Sequence, residues 1–220
     1  DGLELGALSD VETRFERGAA RRETLDGLVE YVTGLDGRSA VGLDFPFSLP
    51  RSLLVGDDWR EFVAATPGEW GRLDGVESPR DLYDAATARA EAEELSLHRE
   101  TDRARGGQEP TGFRITTQTY YGISEVLKGI VHVGGDVVVA PFDDWTDSDT
   151  VVVEAYPAAT FERLGGARTG YKRDTVAGIE ARRENVKALR DAGVRVAEDE
   201  LDDFAVATDD ALDAVAAAVA

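Results

Sequence analysis

The hydrophobic positions along the chain form short apolar runs, separated by longer segments in which apolar residues recur at helical spacing. Short apolar runs indicate strands, and a spacing of three and four residues indicates amphipathic helices. The predicted strands cover residues 3–8, 40–44, 137–140, 151–154 and 194–197. The predicted helices cover residues 22–33, 117–130, 158–164, 175–192 and 208–220. Strands that alternate with helices predict an α/β domain with a mainly parallel sheet.

Residues 50–112 break this alternation with charged helical sequence, such as the Ala, Glu and Arg repeats of residues 78–105. Prolines and a Gly-Gly pair interrupt the helical pattern there. No internal repeat or low-complexity linker divides the chain. We therefore interpret residues 1–220 as one domain and residues 50–112 as a helical insertion within it.

The chain is strongly acidic, with 44 Asp and Glu residues against 24 Lys and Arg residues and a formal net charge of −20. Only three of the basic residues are lysines. In molar salt the Debye length falls to about 3 Å, so charges that repel one another in dilute buffer are screened. The composition is therefore typical of a cytoplasmic protein from a halophilic, archaeal source. In ordinary buffer the same surface disfavours nucleic acid, since basic residues supply most of the non-specific affinity for phosphates.

Several classes of protein are excluded or disfavoured by what the sequence lacks. The absence of Cys excludes disulfides, thiolate metal sites and a Cys nucleophile. No apolar stretch approaches the roughly 18 residues of a membrane span, so no membrane partner is expected. The motifs GxxxxGK[ST], GxGxxG and GxSxG are also absent, which disfavours an ATPase, a dinucleotide oxidoreductase and an α/β-hydrolase.

Two acids come directly at the ends of predicted strands. Asp44 follows the apolar run at residues 40–43, and Glu154 follows the run at residues 151–153. Ligand sites of open α/β sheets lie beyond the carboxyl ends of the strands, which makes both carboxylates candidate site residues. The alternative is that each acid only marks the point at which a strand leaves the core, and the residues alone leave both interpretations open.

Another acidic pair lies at the start of the last predicted helix. Asp210 and Asp213 are three residues apart and are expected to share one face, opposite a stripe formed by Leu212, Val215 and Val219. Such a pair can hold a divalent cation. The alternative is that acids near a helix N-terminus only favour the helix dipole.

The candidates for contact with a phosphate are basic residues: Lys172, Arg99, Arg114 and Arg182. Lys172 follows a glycine-rich loop that enters a helix, where a cation and backbone N–H groups can converge on an anion. The alternative is an ordinary solvated charge, which is our expectation for Arg182. Arg99 and Asp102 are expected to form an i, i+3 ion pair on a charged helix.

Short motifs occur in a characteristic order at residues 41–50, 99–102, 154–157, 171–172 and 210–214. In this order they resemble the domain-of-unknown-function 429 (DUF429) family, which is regarded as predicted nucleases with a ribonuclease-H-like fold. The terminal Asp-x-x-Asp-Ala also resembles the last helix of Holliday-junction resolvases of the same superfamily. The resemblance implies a central mixed sheet flanked by helices, with the helical insertion described above.

The same resemblance implies a metal-dependent nuclease that hydrolyses phosphodiester bonds of nucleic acid. By the resemblance, Asp210 and Asp213 belong to the metal site. Together with the acids at the strand ends, this makes Asp44, Asp210 and Asp213 the expected metal ligands and Glu154 a further ligand or general base. The expected phosphate contacts are Lys172, Arg114 and Arg99, which are chosen as basic residues. Hard cations such as Mg²⁺ or Mn²⁺ take carboxylate ligands without His or Cys, and a chain with two histidines fits this choice. RNA, DNA and other phosphodiesters are all open as substrates.

The superfamily's first strand, which supplies an acidic metal ligand, has no clear counterpart here. The only acidic residue among residues 3–8 is Glu4. Because the chain does not begin with Met, we expect this strand and its acid to lie upstream of Asp1. If the acid is lacking, the alternative function is a non-catalytic ribonuclease-H-like binding or scaffold module, with residues 50–112 as its interaction surface.

Overall fold

The computed structural model describes residues 21–194 and 208–220. Its strands are β1 (Ser39–Leu43), β2 (Val137–Ala140) and β3 (Thr150–Glu154), which form a small sheet in the order β1-β3-β2. β2 and β3 run parallel, with Val137 opposite Thr150 and Ala140 opposite Val153. These three strands lie where the apolar runs predict them, so the α/β class is confirmed. The strands predicted at residues 3–8 and 194–197 fall wholly or mostly outside the described residues.

Helices flank the strands along the chain. They are α1 (Arg21–Thr33), α2 (Trp59–Ala65), α3 (Pro79–Glu93), α4 (Glu100–Arg105), α5 (Thr116–Tyr121), α6 (Lys128–Val133), α7 (Pro157–Arg163), α8 (Val176–Asp191) and α9 (Asp209–Val219). A π-helical segment, Gly122–Leu127, joins α5 to α6. No helix within the described ranges is both long and apolar enough to cross a membrane.

The predicted helices are confirmed to within about two residues at α1, α7, α8 and α9. The charged helical stretch 78–105 forms two helices, α3 and α4; Glu94 adopts a left-handed conformation with φ of 53° and ends α3. α9 begins after Thr208, whose side chain accepts a hydrogen bond from the Ala211 N–H group. This is the N-cap interaction that favours a helix start at this position.

The chain divides into two compact units. Among the described residues, the first unit comprises residues 42–44, 155–194 and 208–220, and the second comprises residues 21–41 and 45–154. The predicted insertion at residues 50–112 falls within the second unit, and its status as an insertion in a single ribonuclease-H-like domain stays a prediction.

Each unit has its own buried apolar residues. In the first unit, side chains from α7, α8 and α9 and from the loops beside them pack together: Phe161, Tyr171, Val186, Leu189, Val194, Leu212, Val215 and Ala216. Leu212 and Val215 are buried and Val219 packs against the same cluster, which confirms the predicted apolar stripe of α9. The second unit buries residues such as Phe47, Trp70, Leu82, Ile123 and Val152.

Candidate functional site

The loop between α7 and α8 is held in place by two buried polar side chains of α8. The side-chain amide of Asn185, which is fully buried, accepts a hydrogen bond from the Ala167 N–H group at 2.6 Å and donates one to the Ala167 carbonyl at 3.0 Å. Arg182 is 3% exposed and donates from Nη1 to the Tyr171 carbonyl at 2.7 Å. The solvated charge expected at Arg182 is therefore wrong, because its guanidinium binds loop carbonyls inside the protein.

Two glycines, one in the first turn of α8 and one in β1, allow neighbouring backbone segments to pack closely against them. A Cβ atom added at Gly178, in the first turn of α8, would lie 1.9 Å from the carbonyl oxygen of Arg173. One added at Gly42, in β1, would lie 2.1 Å from the carbonyl oxygen of Ala217 in α9. The end of β1 thus lies directly against α9, and Asp44 follows two residues later.

Asp213 is the buried carboxylate of this region. It lies in α9 with 6% of its surface exposed. Its Oδ1 atom accepts a hydrogen bond from the Tyr171 hydroxyl at 2.9 Å, and its Oδ2 atom lies 2.6 Å from the Lys172 ammonium. Burial raises the pKa of Asp213, and the negative charge of Asp209 adds to this rise, while Lys172 and Tyr171 oppose it without cancelling it.

Asp213 and Asp44 raise the pKa values of both donors, Lys172 and Tyr171. Desolvation lowers the pKa of Lys172, but its hydrogen bond to Asp213 and the charges of Asp213, Asp44 and Asp209 outweigh this effect and raise it. Burial raises the pKa of Tyr171, and the charges of Asp213 and Asp44 raise it further. Lys172 is therefore a cation, and Tyr171 a neutral donor, at neutral pH. We call these five residues the lysine–carboxylate site.

Asp210 does not share the environment of Asp213. It is exposed, whereas Asp213 is buried, and it is Asp209 whose charge acts on both Lys172 and Asp213. Helical geometry accounts for this, since residues four apart are offset by about 40° around the axis and residues three apart by about 60° on the other side. Asp209 has no distinguishing signal in the sequence, since it lies outside the Asp-x-x-Asp motif and an acid at a helix start has an ordinary electrostatic explanation. The role of Asp210 as a ligand stays a prediction.

Glu154 lies in the second unit, where it is bound by Arg99. The guanidinium donates to both carboxylate oxygens, at 2.7 and 2.5 Å, and the Phe47 N–H group donates to Oε2 at 2.9 Å. Arg99 also donates from Nη2 to Asp102 at 2.7 Å, so the expected i, i+3 pair is present. Desolvation lowers the pKa of Arg99, but the two carboxylates raise it overall. Arg114 is exposed. The roles predicted for Glu154, Arg99 and Arg114 stay predictions.

The lysine–carboxylate site has the chemistry that a hard cation requires, since its acids supply only carboxylate oxygens. Within residues 21–194 and 208–220, however, no three His, Cys, Asp or Glu side chains are close enough together to hold a metal ion. The cation on which Asp44, Asp209 and Asp213 act in this structure is the Lys172 ammonium. The acids therefore match a divalent cation in donor type only; within the described residues their side chains do not converge as a ligand set, and Asp213 is paired with Lys172.

Fold and site together define an α/β protein in which buried and exposed carboxylates act on one lysine. A family model described as "Protein of unknown function (DUF429)" matches residues 9–220, and the chain belongs to this family. The predicted family membership is thereby confirmed. No curated protein and no solved structure matches the chain.

Proposed function

We propose that this protein is a ribonuclease-H-like, metal-dependent hydrolase of phosphodiester bonds in nucleic acid. One observation carries the proposal: the end of β1, which Asp44 follows, packs against α9, where the buried Asp213 carboxylate binds the Lys172 ammonium. Carboxylate sites of this kind bind Mg²⁺ or Mn²⁺. When bound, such a cation activates water and stabilises charge on the phosphate oxygens.

Each residue of the lysine–carboxylate site has a role in this proposal. Asp213 and Asp44 hold the cation, with Asp209 or Asp210 supplying further negative charge. Tyr171 fixes the orientation of the Asp213 carboxylate through its hydroxyl, which donates at 2.9 Å. The half-exposed Lys172 side chain provides the positive charge for a substrate phosphate.

The proposal also includes a salt-rich, halophilic cytoplasm as the working environment. The net charge of −20 opposes contact with a polyanion in dilute buffer. At molar salt the Debye length of about 3 Å removes most of this long-range repulsion. Nucleic-acid cleavage is therefore to be measured in concentrated potassium chloride.

A cleavage assay with matched Asp→Asn variants tests the proposal. RNA, single-stranded DNA, duplex DNA and a four-way junction are incubated with Mg²⁺ or Mn²⁺ in molar potassium chloride. We expect Asp213→Asn to lose at least about 100-fold in rate, on the scale of an electrostatic catalytic group. Asp191→Asn is the control, because Asp191 is exposed and pairs with Lys187 within α8. Metal-dependent cleavage that survives Asp213→Asn would refute the assignment.

A non-catalytic binding module is the second candidate, favoured by the way the acids are neutralised. Asp213 is already paired with Lys172, and in the second unit Asp102 and Glu154 share Arg99. A titration of Mg²⁺ against thermal stability separates the two candidates, because a ligand that binds only the native state raises the unfolding midpoint. No rise in the midpoint, together with no cleavage, would favour the module.

A further inference from the structure

The longest run of the chain without an acidic residue covers residues 110–124. Because 44 of the 220 residues are Asp or Glu, one residue in five is acidic on average, and these 15 positions would be expected to hold three acids. Several residues of the run are buried, but four are exposed: Phe113, Arg114, Thr117 and Gln118. The exposed side chains of this run are therefore an aromatic ring, a cation and two uncharged polar groups.

Phe113 is the most exposed aromatic residue in the part of the chain that the structure describes. It has 72% of its surface exposed, and its ring contacts that of Tyr83 in α3 edge to face, with 5.9 Å between the centroids. The Arg80 guanidinium lies 5.3 Å from the centre of the Tyr83 ring. Tyr83 thus supports the Phe113 ring, most of which stays open to solvent. We call Arg80, Tyr83, Phe113 and Arg114 the Phe113 surface.

The turn at residues 112–115 is held in place by hydrogen bonds of two buried threonines. Thr119 donates to the Pro110 carbonyl at 2.5 Å, and Thr116 donates to the Pro79 carbonyl at the start of α3, at 3.3 Å. The backbone that presents the exposed ring is therefore ordered before any partner binds. Less conformational freedom is lost on binding to such a surface than on binding to a flexible loop.

The two arginines of the Phe113 surface are available to an anion. Arg114 is exposed, and no carboxylate within residues 21–194 and 208–220 pairs with it. Arg80 pairs with Asp84 at 2.7 Å, but these two side chains are 66% and 51% exposed. Because an exposed pair of this kind contributes little to stability, a phosphate can take the place of the Asp84 carboxylate.

An open aromatic ring beside positive charge fits a single nucleic-acid strand. Bases stack on aromatic side chains whatever their sequence, while basic side chains follow the phosphates. A duplex covers the faces of its bases with neighbouring base pairs, so it offers no free face to Phe113. A protein partner fits less well, because a stable interface buries about 800 Å² on each side, whereas Phe113 is the one large apolar side chain exposed in residues 110–124.

We propose that the Phe113 surface binds a single nucleic-acid strand, with one base stacked on Phe113 and neighbouring phosphates paired with Arg114 and Arg80. The inference rests on the proposed function in one respect: it makes single-stranded nucleic acid the substrate class of the hydrolase. The lack of acids in residues 110–124 lowers the local repulsion that a net charge of −20 otherwise imposes on a polyanion.

Fluorescence anisotropy of labelled oligonucleotides tests the binding, with EDTA present so that no metal-dependent cleavage occurs. The full chain is titrated into single-stranded DNA, single-stranded RNA and a duplex of the same sequence. We expect Phe113→Ala to raise the dissociation constant for a single strand about tenfold, on the scale of one stacked base, and to leave the weaker duplex binding unchanged. Trp145→Ala is the matched control, because Trp145 is 59% exposed but lies between Asp144 and Asp147, and we expect it to bind like the parent.

The salt dependence of Arg114→Gln tests the phosphate contact. Loss of one phosphate contact with a single strand is expected to make the slope of log affinity against log salt concentration shallower by about 0.7. Arg51→Gln is the control, because Arg51 is an exposed arginine of the same unit that pairs with Asp57, and we expect it to keep the parent's slope. An unchanged slope in Arg114→Gln would overturn the role of Arg114.

The remaining outcomes separate this inference from the proposed function. Equal affinity of the parent and Phe113→Ala for a single strand, or no strand binding by the parent, overturns the inference. It is also overturned if light scattering shows that Phe113→Ala converts a dimer into a monomer while strand affinity is unchanged, since the surface is then a contact between copies. A single strand that binds through Phe113 but is not cleaved with Mg²⁺ or Mn²⁺ overturns the proposed function and leaves the binding surface standing.

Discussion

Replacing Tyr171 by Phe removes one hydroxyl group from the core of the first unit and leaves the ring in place. The ring lies 5.2 Å from that of Phe161, between centroids, and Tyr171 is 1% exposed. Its hydroxyl donates to the Asp213 carboxylate at 2.9 Å, and Asp213 is 6% exposed. The substitution therefore takes a donor from a buried carboxylate without creating a large cavity.

The expected cost follows from the charge and burial of the acceptor. A hydrogen bond to a charged group contributes about 1.5–3 kcal/mol, and water does not replace it at a buried site. Lys172 still compensates the other oxygen, so we expect Tyr171→Phe to lower the free energy of unfolding by about 2 kcal/mol. For a chain of this size, that loss lowers the melting temperature by roughly 4–8 °C.

Urea unfolding at pH 7 and constant potassium chloride measures this loss. Tyr83→Phe is the control, because Tyr83 lies partly exposed in α3, and we expect a change within about 0.5 kcal/mol. A double-mutant cycle with Asp213→Ala isolates the interaction, since Tyr171→Phe is expected to cost little once the carboxylate is gone. An equal cost of Tyr171→Phe in both backgrounds would refute the reasoning.

Further predictions concern packing, metal binding, pH and salt. Gly42→Ala places a Cβ atom 2.1 Å from a backbone carbonyl of α9, and we expect a loss of about 3 kcal/mol or more in urea unfolding. By titration calorimetry, Asp209→Asn is expected to weaken Mg²⁺ binding more than Asp210→Asn, because the charge of Asp209 raises the pKa of both Lys172 and Asp213, whereas Asp210 is exposed. Burial raises the pKa of Asp143, but donors from Arg60 and the backbone lower it overall. The ionised Asp143 carboxylate therefore stabilises the fold above about pH 4, and this stabilisation is lost as the pH falls through the folded pKa. In urea unfolding, Asp143→Asn should lower the free energy of unfolding by about 1–2 kcal/mol at pH 7 and by progressively less in acid. The melting temperature is expected to rise between about 0.1 and 2 M potassium chloride, as the net charge of −20 is screened; a fall would contradict this.

The parts of the fold that the sequence predicts are those set by local periodicity. Apolar runs locate β1, β2 and β3, and helical spacing locates α1 and α8. The break between α3 and α4 is not signalled, because the left-handed residue that ends α3 is Glu94 rather than Gly or Asn. The Glu94 and Leu95 N–H groups donate to the Ala90 carbonyl there, a helix-end arrangement that glycine usually provides.

The sequence predicts several residues of the candidate site but not the contacts between them. Lys172 and Asp213 are both singled out by motif, yet their ion pair joins a loop to a helix 41 residues away and leaves no local signal. The burial of Arg182, by contrast, is indicated by its spacing from apolar residues of α8. Arg182 stands four residues before Val186 and seven before Leu189, on the face of α8 that is buried, and a charge on such a face must find partners.

The two buried acids of the described chain, Asp102 and Asp213, are neutralised by different kinds of cation. Asp102 is bound by an arginine whose side chain is 14% exposed and whose planar group also binds a second carboxylate. Asp213 is bound by a lysine that is 53% exposed. A rigid, multiply bonded guanidinium resists exchange, whereas a half-exposed ammonium on a flexible stem leaves readily. In a chain that uses arginine for all but three of its basic residues, Asp213 is thus paired with a compact point charge, whereas Asp102 is paired with a planar group that binds two carboxylates at once.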